Sequence, residues 1–407
     1  MTTSADHATG PEHAMPDHAM EVAKLGDIAA EAGLHRVSML AWRDLDDPEA
    51  GGSELHASNI AKLWAEAGIE VNIRTSYAAG HPQVSWRDGY RVIRKSGRYL
   101  VFPRAAFSEM MGWHGGRDGL VEIWNGMPFF SPLWSRTPHV TWLHHVHAEM
   151  WQMTLPPRLA AFGNFVESKL APPLYHRTSM VTLSESSRRE MVDDLGFSPQ
   201  RVSVVSPGID PHYTPGGEKS PTPLVVAVGR LVPVKQFDVL VDALVALKAD
   251  HPALEAVIVG EGYTREELEA QIHAARAESW ISLPGRVSED TKVDLYRRAW
   301  VLASASAREG WGMTITEAAA CGTPAVVSDV PGHADAVVDG ETGILCRGGD
   351  ALRVGLDRML RDEGLRGSMS DAARRHAVRF TWEATARGTL EVLAAAALAR
   401  RPRRSRS

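Results

Sequence analysis

The sequence predicts an α/β protein of two domains, each built on a parallel β-sheet, and three observations carry that prediction. The chain has 407 residues, long enough for two separate cores. Short continuous apolar runs such as Leu224-Val225-Val226-Ala227-Val228 alternate with helical segments, as expected of strands covered on both faces. Residues 300–329 read as one complete strand–loop–helix–strand unit. In it Trp300 to Ala303 is a buried strand and Arg308-Glu309-Gly310-Trp311-Gly312 a glycine-rich loop. Met313 to Ala320 is a helix stopped by Gly322 and Pro324, and Ala325 to Asp329 is the next strand with its turn. Ligands of such sheets sit beyond the carboxyl ends of the strands, against helix N-termini.

The loop suits a ligand. Gly310 and Gly312 let the backbone come close, and the N–H groups of Gly312, Met313 and Thr314 at the helix start favour phosphate. Glu309 and Glu317 are eight residues apart, about 80° out of line on a continuous helix. With Glu309 in the loop and Glu317 one turn into the helix, both face one pocket. Carboxylates accept hydrogen bonds from sugar hydroxyls and repel phosphate, so the expected ligand is a phosphate flanked by sugars, a nucleotide-sugar. The structural alternatives are a capping box, Thr314-x-x-Glu317, and an exposed loop acid at Glu309.

This stretch resembles the E-x7-E signature of retaining glycosyltransferases of the GT-B fold, family 4, and the resemblance runs from about Val37 to Trp382. It implies two Rossmann-like domains facing each other across a cleft. The expected divisions are a disordered tail over 1–26, an N-terminal acceptor domain over 27–210 and a linker over 211–223. A nucleotide-sugar donor domain follows over 224–380, then a helix, 381–399, returning to the first domain, and a basic tail over 400–407.

Composition excludes several classes. A net charge of −6 with 23% charged residues is not that of a nucleic-acid binder. Cys321 and Cys346 sit in apolar surroundings and read as core residues, which suits the cytosol. No apolar run is long enough to span a membrane, and the N-terminus lacks a signal-peptide pattern.

In the first domain, Arg36 to Trp42 is the opening strand. It leads through an acidic loop to Gly51-Gly52-Ser53-Glu54 and a helix ending near Ala67. The resemblance gives Gly51 and Gly52 a role at the donor phosphate and acceptor; a plain turn capped by Ser53 is the alternative. Glu70 to Arg74 is the second strand. Residues 86–104 mix Arg87, Arg91, Arg94, Lys95, Arg98 and Arg104 with aromatics. They read as a solvated strand pair, Val92-Ile93 and Tyr99 to Phe102, or as a face for an anionic membrane or acidic acceptor. Leu120 to Trp124 and Val140 to Leu143 are buried strands, the second ending in His144-His145-Val146-His147-Ala148-Glu149. That spacing fits no standard zinc site. The resemblance implies a histidine here that contacts the transferred sugar; strand position selects His144, with His145 and His147 as alternatives. Leu155 to Arg177 is helical, Ser179 to Ser184 a strand, Glu185 to Leu195 a helix. Val202 to Val205 precedes Ser206-Pro207-Gly208-Ile209-Asp210, similar to the family's Asn-Gly-Ile-Asp turn with Pro207 replacing the Asn.

The second domain opens with the strand 224–229 and a loop carrying Arg230 and Lys235. The resemblance implies that these two cations stabilise the leaving nucleoside diphosphate, with no catalytic metal and no cofactor. Ala256 to Gly262 ends in Gly260-Glu261-Gly262, an incomplete dinucleotide fingerprint with Arg265 where a third glycine belongs. The resemblance places the nucleobase at Arg286 and Val287, held largely by backbone. Gly332 to Val338 is a short helix, Gly343 to Leu345 a strand, and Phe380-Thr381-Trp382-Glu383 opens the last helix. Five arginines between Arg400 and Arg406 offer contact with anionic lipid or polymer.

The reading is therefore a retaining hexosyltransferase in the cytosol, or peripheral at the inner face of the membrane. It moves a sugar from a UDP- or GDP-sugar to a hydroxyl of a glycan, lipid or small molecule. A nucleotide-sugar epimerase or hydrolase of the same fold, or a non-catalytic nucleotide-binding module, are the alternatives. An NAD-dependent oxidoreductase is disfavoured by the incomplete Gly-x-Gly and by the Glu309/Glu317 pair.

Overall fold

The computed structural model describes residues 18–400. The first sheet contains β1 (Arg36–Leu40), β2 (Glu70–Thr75), β3 (Val84–Arg87), β4 (Tyr90–Arg94), β5 (Gly119–Ile123), β6 (His139–Trp142), β7 (Ser179–Thr182) and β8 (Val202–Val204). Their order is β3-β4-β2-β1-β5-β6-β7-β8, parallel throughout except for the β3/β4 hairpin. The second sheet contains β9 (Leu224–Val228), β10 (Glu255–Val259), β11 (Ile281–Gly285), β12 (Val301–Ser304), β13 (Ala325–Ser328) and β14 (Gly343–Cys346). It is wholly parallel, in the order β11-β10-β9-β12-β13-β14. Both faces of each sheet are covered, which is why its strands are continuous apolar runs rather than alternating ones.

Strand order reverses at β1 in the first sheet and at β9 in the second. Ligand crevices of open α/β sheets form at such switch points. The loop after β1 holds Gly51 and Gly52, the loop after β9 holds Arg230 and Lys235, and the loop after β12 holds Glu309. The topology therefore brings the three predicted loops to one place.

The last helix, Trp382–Arg400, crosses back onto the first domain. Its Trp382, Ala386, Leu390 and Leu393 join the core of β1, β2 and the helix Gly52–Glu66, and Trp64 Nε1 donates to the Ala386 carbonyl at 3.0 Å.

Two segments depart from expectation. Residues 18–26, assigned to the tail, are helical: His18–Ala32 is a helix whose Leu25, Ala29 and Ala32 pack into the same core, while Glu21 pairs with Arg387 of the last helix. Residues 1–17 of that tail lie outside the described residues, as do 401–407 of the basic one. Tyr99 to Phe102 is no strand but the approach to a helix, Val101–Met110. Pro103 sits in its first turn, where the missing N–H costs no helical bond, whereas a ladder would lose one. Residues 211–223 hold no helix or strand, and Lys219 anchors them by donating to the Ala299 carbonyl at 2.8 Å and to Thr323 Oγ1 at 2.6 Å.

Candidate active site at the domain cleft

Met313–Ala320 forms as a helix, with Gly312 as its N-cap at φ +99°, a conformation that favours glycine. Gly312 offers no side chain to the helix start, so among the described residues the N–H groups of Met313 and Thr314 have neither an intrahelical nor a side-chain partner. Glu309 lies just before it, half-buried, with Lys235 as its ion-pair partner. Ser306 Oγ also donates to Glu309 at 2.8 Å, and His333 Nε2 stands 3.9 Å away. Burial alone would raise the Glu309 pKa, but the Lys235 charge and these donors outweigh it and hold the carboxyl below its usual range. Glu309 is thus ionised, beside a cation and a helix start. It is not an exposed loop acid.

Glu317 faces elsewhere. Tyr296 Oη donates to its Oε2 at 3.0 Å and Lys292 Nζ lies 3.5 Å away. Burial raises its pKa against the pull of Lys292. Because its carboxylate is held by side chains of the helix Glu289–Arg298, the capping-box alternative does not hold. Glu317 and Met313 line a cavity of about 480 Å³ between the domains, walled also by Asn59, Tyr213, Lys292 and Trp382.

The first domain closes over this arrangement. A Cβ on Gly51 would lie 3.6 Å from Arg230 Nε, and one on Gly52 3.2 Å from Met313 Sδ. Glu54 accepts from the Gly51 N–H at 2.8 Å and so fixes the Gly-Gly turn, while Ser53 takes no capping role and accepts from Asn125. Among the described residues the Arg230 guanidinium has no hydrogen-bond or ion-pair partner. The Gly310 loop packs on the loop after β6: its Cβ would meet the His144 carbonyl at 2.9 Å, and Arg308 Nε donates to the Val146 carbonyl at 2.7 Å.

Residues 50–213 match the family described as Glycosyltransferase Family 4, and residues 214–376 match Glycosyl transferases group 1. A D-inositol 3-phosphate glycosyltransferase of Salinispora arenicola (strain CNS-205) is 34% identical, over 88% of this chain and 90% of its own. The chain belongs to glycosyltransferase family 4. A second D-inositol 3-phosphate glycosyltransferase, from Streptomyces bingchenggensis (strain BCW-1), is 29% identical over 86% of this chain and 85% of its own. Among solved structures, sucrose-phosphate synthase of Thermosynechococcus elongatus superposes with a TM-score of 0.74 at 18% identity, over 87% of this chain and 97% of its own. Anabaena HepE in complex with UDP and glucose superposes at 0.69 and 19% identity, over 89% of this chain and all of its own. The fold is GT-B, two Rossmann-like domains facing across the cleft.

In this family 4 glycosyltransferase the cleft gathers Gly51, Gly52, Arg230, Lys235, Glu309, Gly310, Gly312, Met313 and Thr314. Arg286 stands apart: it is exposed and donates to the Pro48 carbonyl of the first loop, and Val287 beside it is half-buried. His144 is buried against His56, ring centroids 4.8 Å apart, with its Nε2 unpartnered. Burial lowers its pKa to about 4, so it is neutral at pH 7. His145 stacks on His147, whose backbone N–H donates to Glu167, while His144 faces His56, and among the described residues no group of side chains is set to hold a metal ion. Gly260 belongs to packing: its Cβ would fall 1.8 Å from the Gly229 carbonyl, beneath the Arg230 loop. Lys292, Tyr296 and His333 escaped the sequence reading because their relation to Glu317 and Glu309 exists only in three dimensions. A lysine at the fourth residue of the helix Glu289–Arg298 carries no local signal.

Proposed function

We propose that the protein is a retaining hexosyltransferase. It takes a nucleoside-diphosphate sugar, UDP- or GDP-linked, and passes the sugar to an acceptor hydroxyl without a catalytic metal. What carries the reading is the unpartnered Arg230 at the Gly51 turn, with Lys235 on Glu309 and the uncapped helix start at Gly312, whose Met313 meets Gly52. Fixed cations and N–H groups aimed at one point stabilise charge developing on a departing diphosphate. In this reading Arg230 and Lys235 take up that charge, and the amides of Gly312, Met313 and Thr314 hold phosphate or sugar oxygens. Glu309 orients the sugar, Glu317 accepts from the ribose, and the neutral His144 Nε2 meets a sugar hydroxyl from the other domain. Arg286 and Val287 border the base. The leaving diphosphate receives the acceptor proton on the face it departs from, which gives retention. The free, buried Cys321 and Cys346 suit a reducing compartment such as the cytosol.

The experiment is a thermal-shift and donor-consumption screen of UDP-, GDP- and ADP-sugars with and without EDTA. The D-inositol 3-phosphate of the curated relatives heads the acceptor panel. One nucleotide should raise the melting temperature with concentration, unaffected by EDTA, and an α-linked donor should give an α-linked product by proton NMR. Inverted product, or activity abolished by EDTA and restored by a divalent cation, would reject the mechanism. Donor consumption without any acceptor would favour hydrolysis.

A further inference from the structure

We propose that the helix Val101–Met110 and the turn after it dock the protein onto a bilayer surface rich in anionic phospholipid. Leu100, Phe107, Met110, Met111 and Trp113 are each more than half exposed; Phe107 and Met110 lie three residues apart on the helix, Leu100 and Met111 flank it, and Trp113 is in the turn that follows. Phe107 and Trp113 lie edge to face in solvent, ring centroids 5.4 Å apart. A contiguous exposed apolar patch of this kind marks an interaction surface.

Charge decides which one. Of the six cations in residues 86–104, Arg87, Arg94 and Arg98 are used inside the domain. Arg87 and Arg94 bind Asp44 and Asp46 of the loop after β1, and Arg98 binds Asp47 and Glu49. Arg91, Lys95 and Arg104 have no ion-pair partner among the described residues. Arg104 is exposed on the same helix three residues before Phe107, and the charges of Arg91 and Lys95 reach His114, next to Trp113. Trp86, highly exposed, sits opposite Arg91 in the β3/β4 ladder and so on the same face of the hairpin. An apolar helix face with aromatics, flanked by unneutralised cations, is the chemistry of an interfacial helix on an anionic leaflet. A soluble phosphate would use the cations and leave the apolar face wet. The helix opens after the carboxyl end of β4, and the turn that follows it leads back to the start of β5 at Gly119.

The test is co-sedimentation of the full chain with vesicles of phosphatidylcholine alone or with about one third phosphatidylglycerol, at 0.1 M and 0.5 M salt. Binding is expected to the anionic vesicles only and to weaken at the higher salt. Arg91→Gln, Lys95→Gln and Arg104→Gln together should lower the partition on the order of a hundredfold, at about fivefold per basic residue. Phe107→Ser with Trp113→Ser should abolish it, with melting temperatures nearly unchanged because Arg104, Phe107 and Trp113 are exposed and the half-buried Arg91 and Lys95 have no ion-pair partner among the described residues. Undiminished binding by both variants, or equal binding to uncharged vesicles, would overturn the proposal. So would loss of binding only on deleting residues 401–407, which would place the contact in the arginine tail. A dimer that the Phe107/Trp113 variant dissolves, in a chain that ignores vesicles, would assign the face to a second copy instead.

Discussion

Arg230 and Lys235 share a loop but make different predictions. Arg230 has no protein partner, so Arg230→Ala should leave stability nearly unchanged and lower kcat by about 10²-fold or more if the cation acts mainly in the transition state. A melting curve beside steady-state rates checks this; unchanged kcat/KM would remove the assignment. Lys235 is the counter-charge of a half-buried carboxylate. Lys235→Met should cost about 1.5–3 kcal/mol, because the half-buried Glu309 loses its charged hydrogen-bond partner. Adding Glu309→Gln should restore most of the melting temperature but none of the rate. Glu309 and Arg230 were legible from sequence because a loop between a strand and a helix has few roles for a charged side chain. Lys292 was not, because its contact with Glu317 depends on how two helices pack.

At the scale of elements, what could be read was what has a period or a stop. The unit around Met313–Ala320 was visible from its apolar strands and from Gly322 and Pro324. The helix His18–Ala32 was not, since its buried residues Glu21, Leu25, Ala29 and Ala32 hold only one large apolar side chain and it follows a polar, low-complexity stretch. Val101–Met110 was mistaken because Tyr99 to Phe102 looks like a strand, although Pro103 already argued against one. The helix His18–Ala32 is part of the core, and Leu25 is fully buried in it. Leu25→Ala should therefore destabilise by about 2–5 kcal/mol in a denaturant titration, with nucleotide affinity of the folded protein intact. An unchanged midpoint would show that this helix does not dock as described. In the second domain, Gly260→Ala should act on the site from below. At φ +148° and against the Gly229 carbonyl, a Cβ forces the Arg230 loop to move, and donor affinity should fall along with stability.

The whole molecule carries a pH dependence through its buried histidines. His56, His144 and His145 are held neutral by burial, His144 titrating only near 4 in the fold and the other two shifted well below the usual value. An unfolded histidine takes its proton near 6.5. The folded form therefore keeps its full advantage above that pH and loses it as pH falls, for His144 down to about 4. The slope is about 1.4 kcal/mol per pH unit for each such group. His56→Leu removes a buried ring with both nitrogens unpartnered, and should flatten the fall of melting temperature between pH 7 and 5. Equal slopes in the two proteins would contradict a buried neutral His56.

The two domains meet through the same loops that form the site, so the account stands on the cleft being where the donor binds. Calorimetric titration of the nucleoside diphosphate picked out by the donor screen tests this most directly, in the native chain and in Arg230→Ala and Lys235→Met/Glu309→Gln. The prediction is one site per chain, weakened tenfold or more in both variants, as expected when a charge-assisted contact to phosphate is lost. Undiminished affinity in both would place the nucleotide elsewhere and contradict the donor site proposed here.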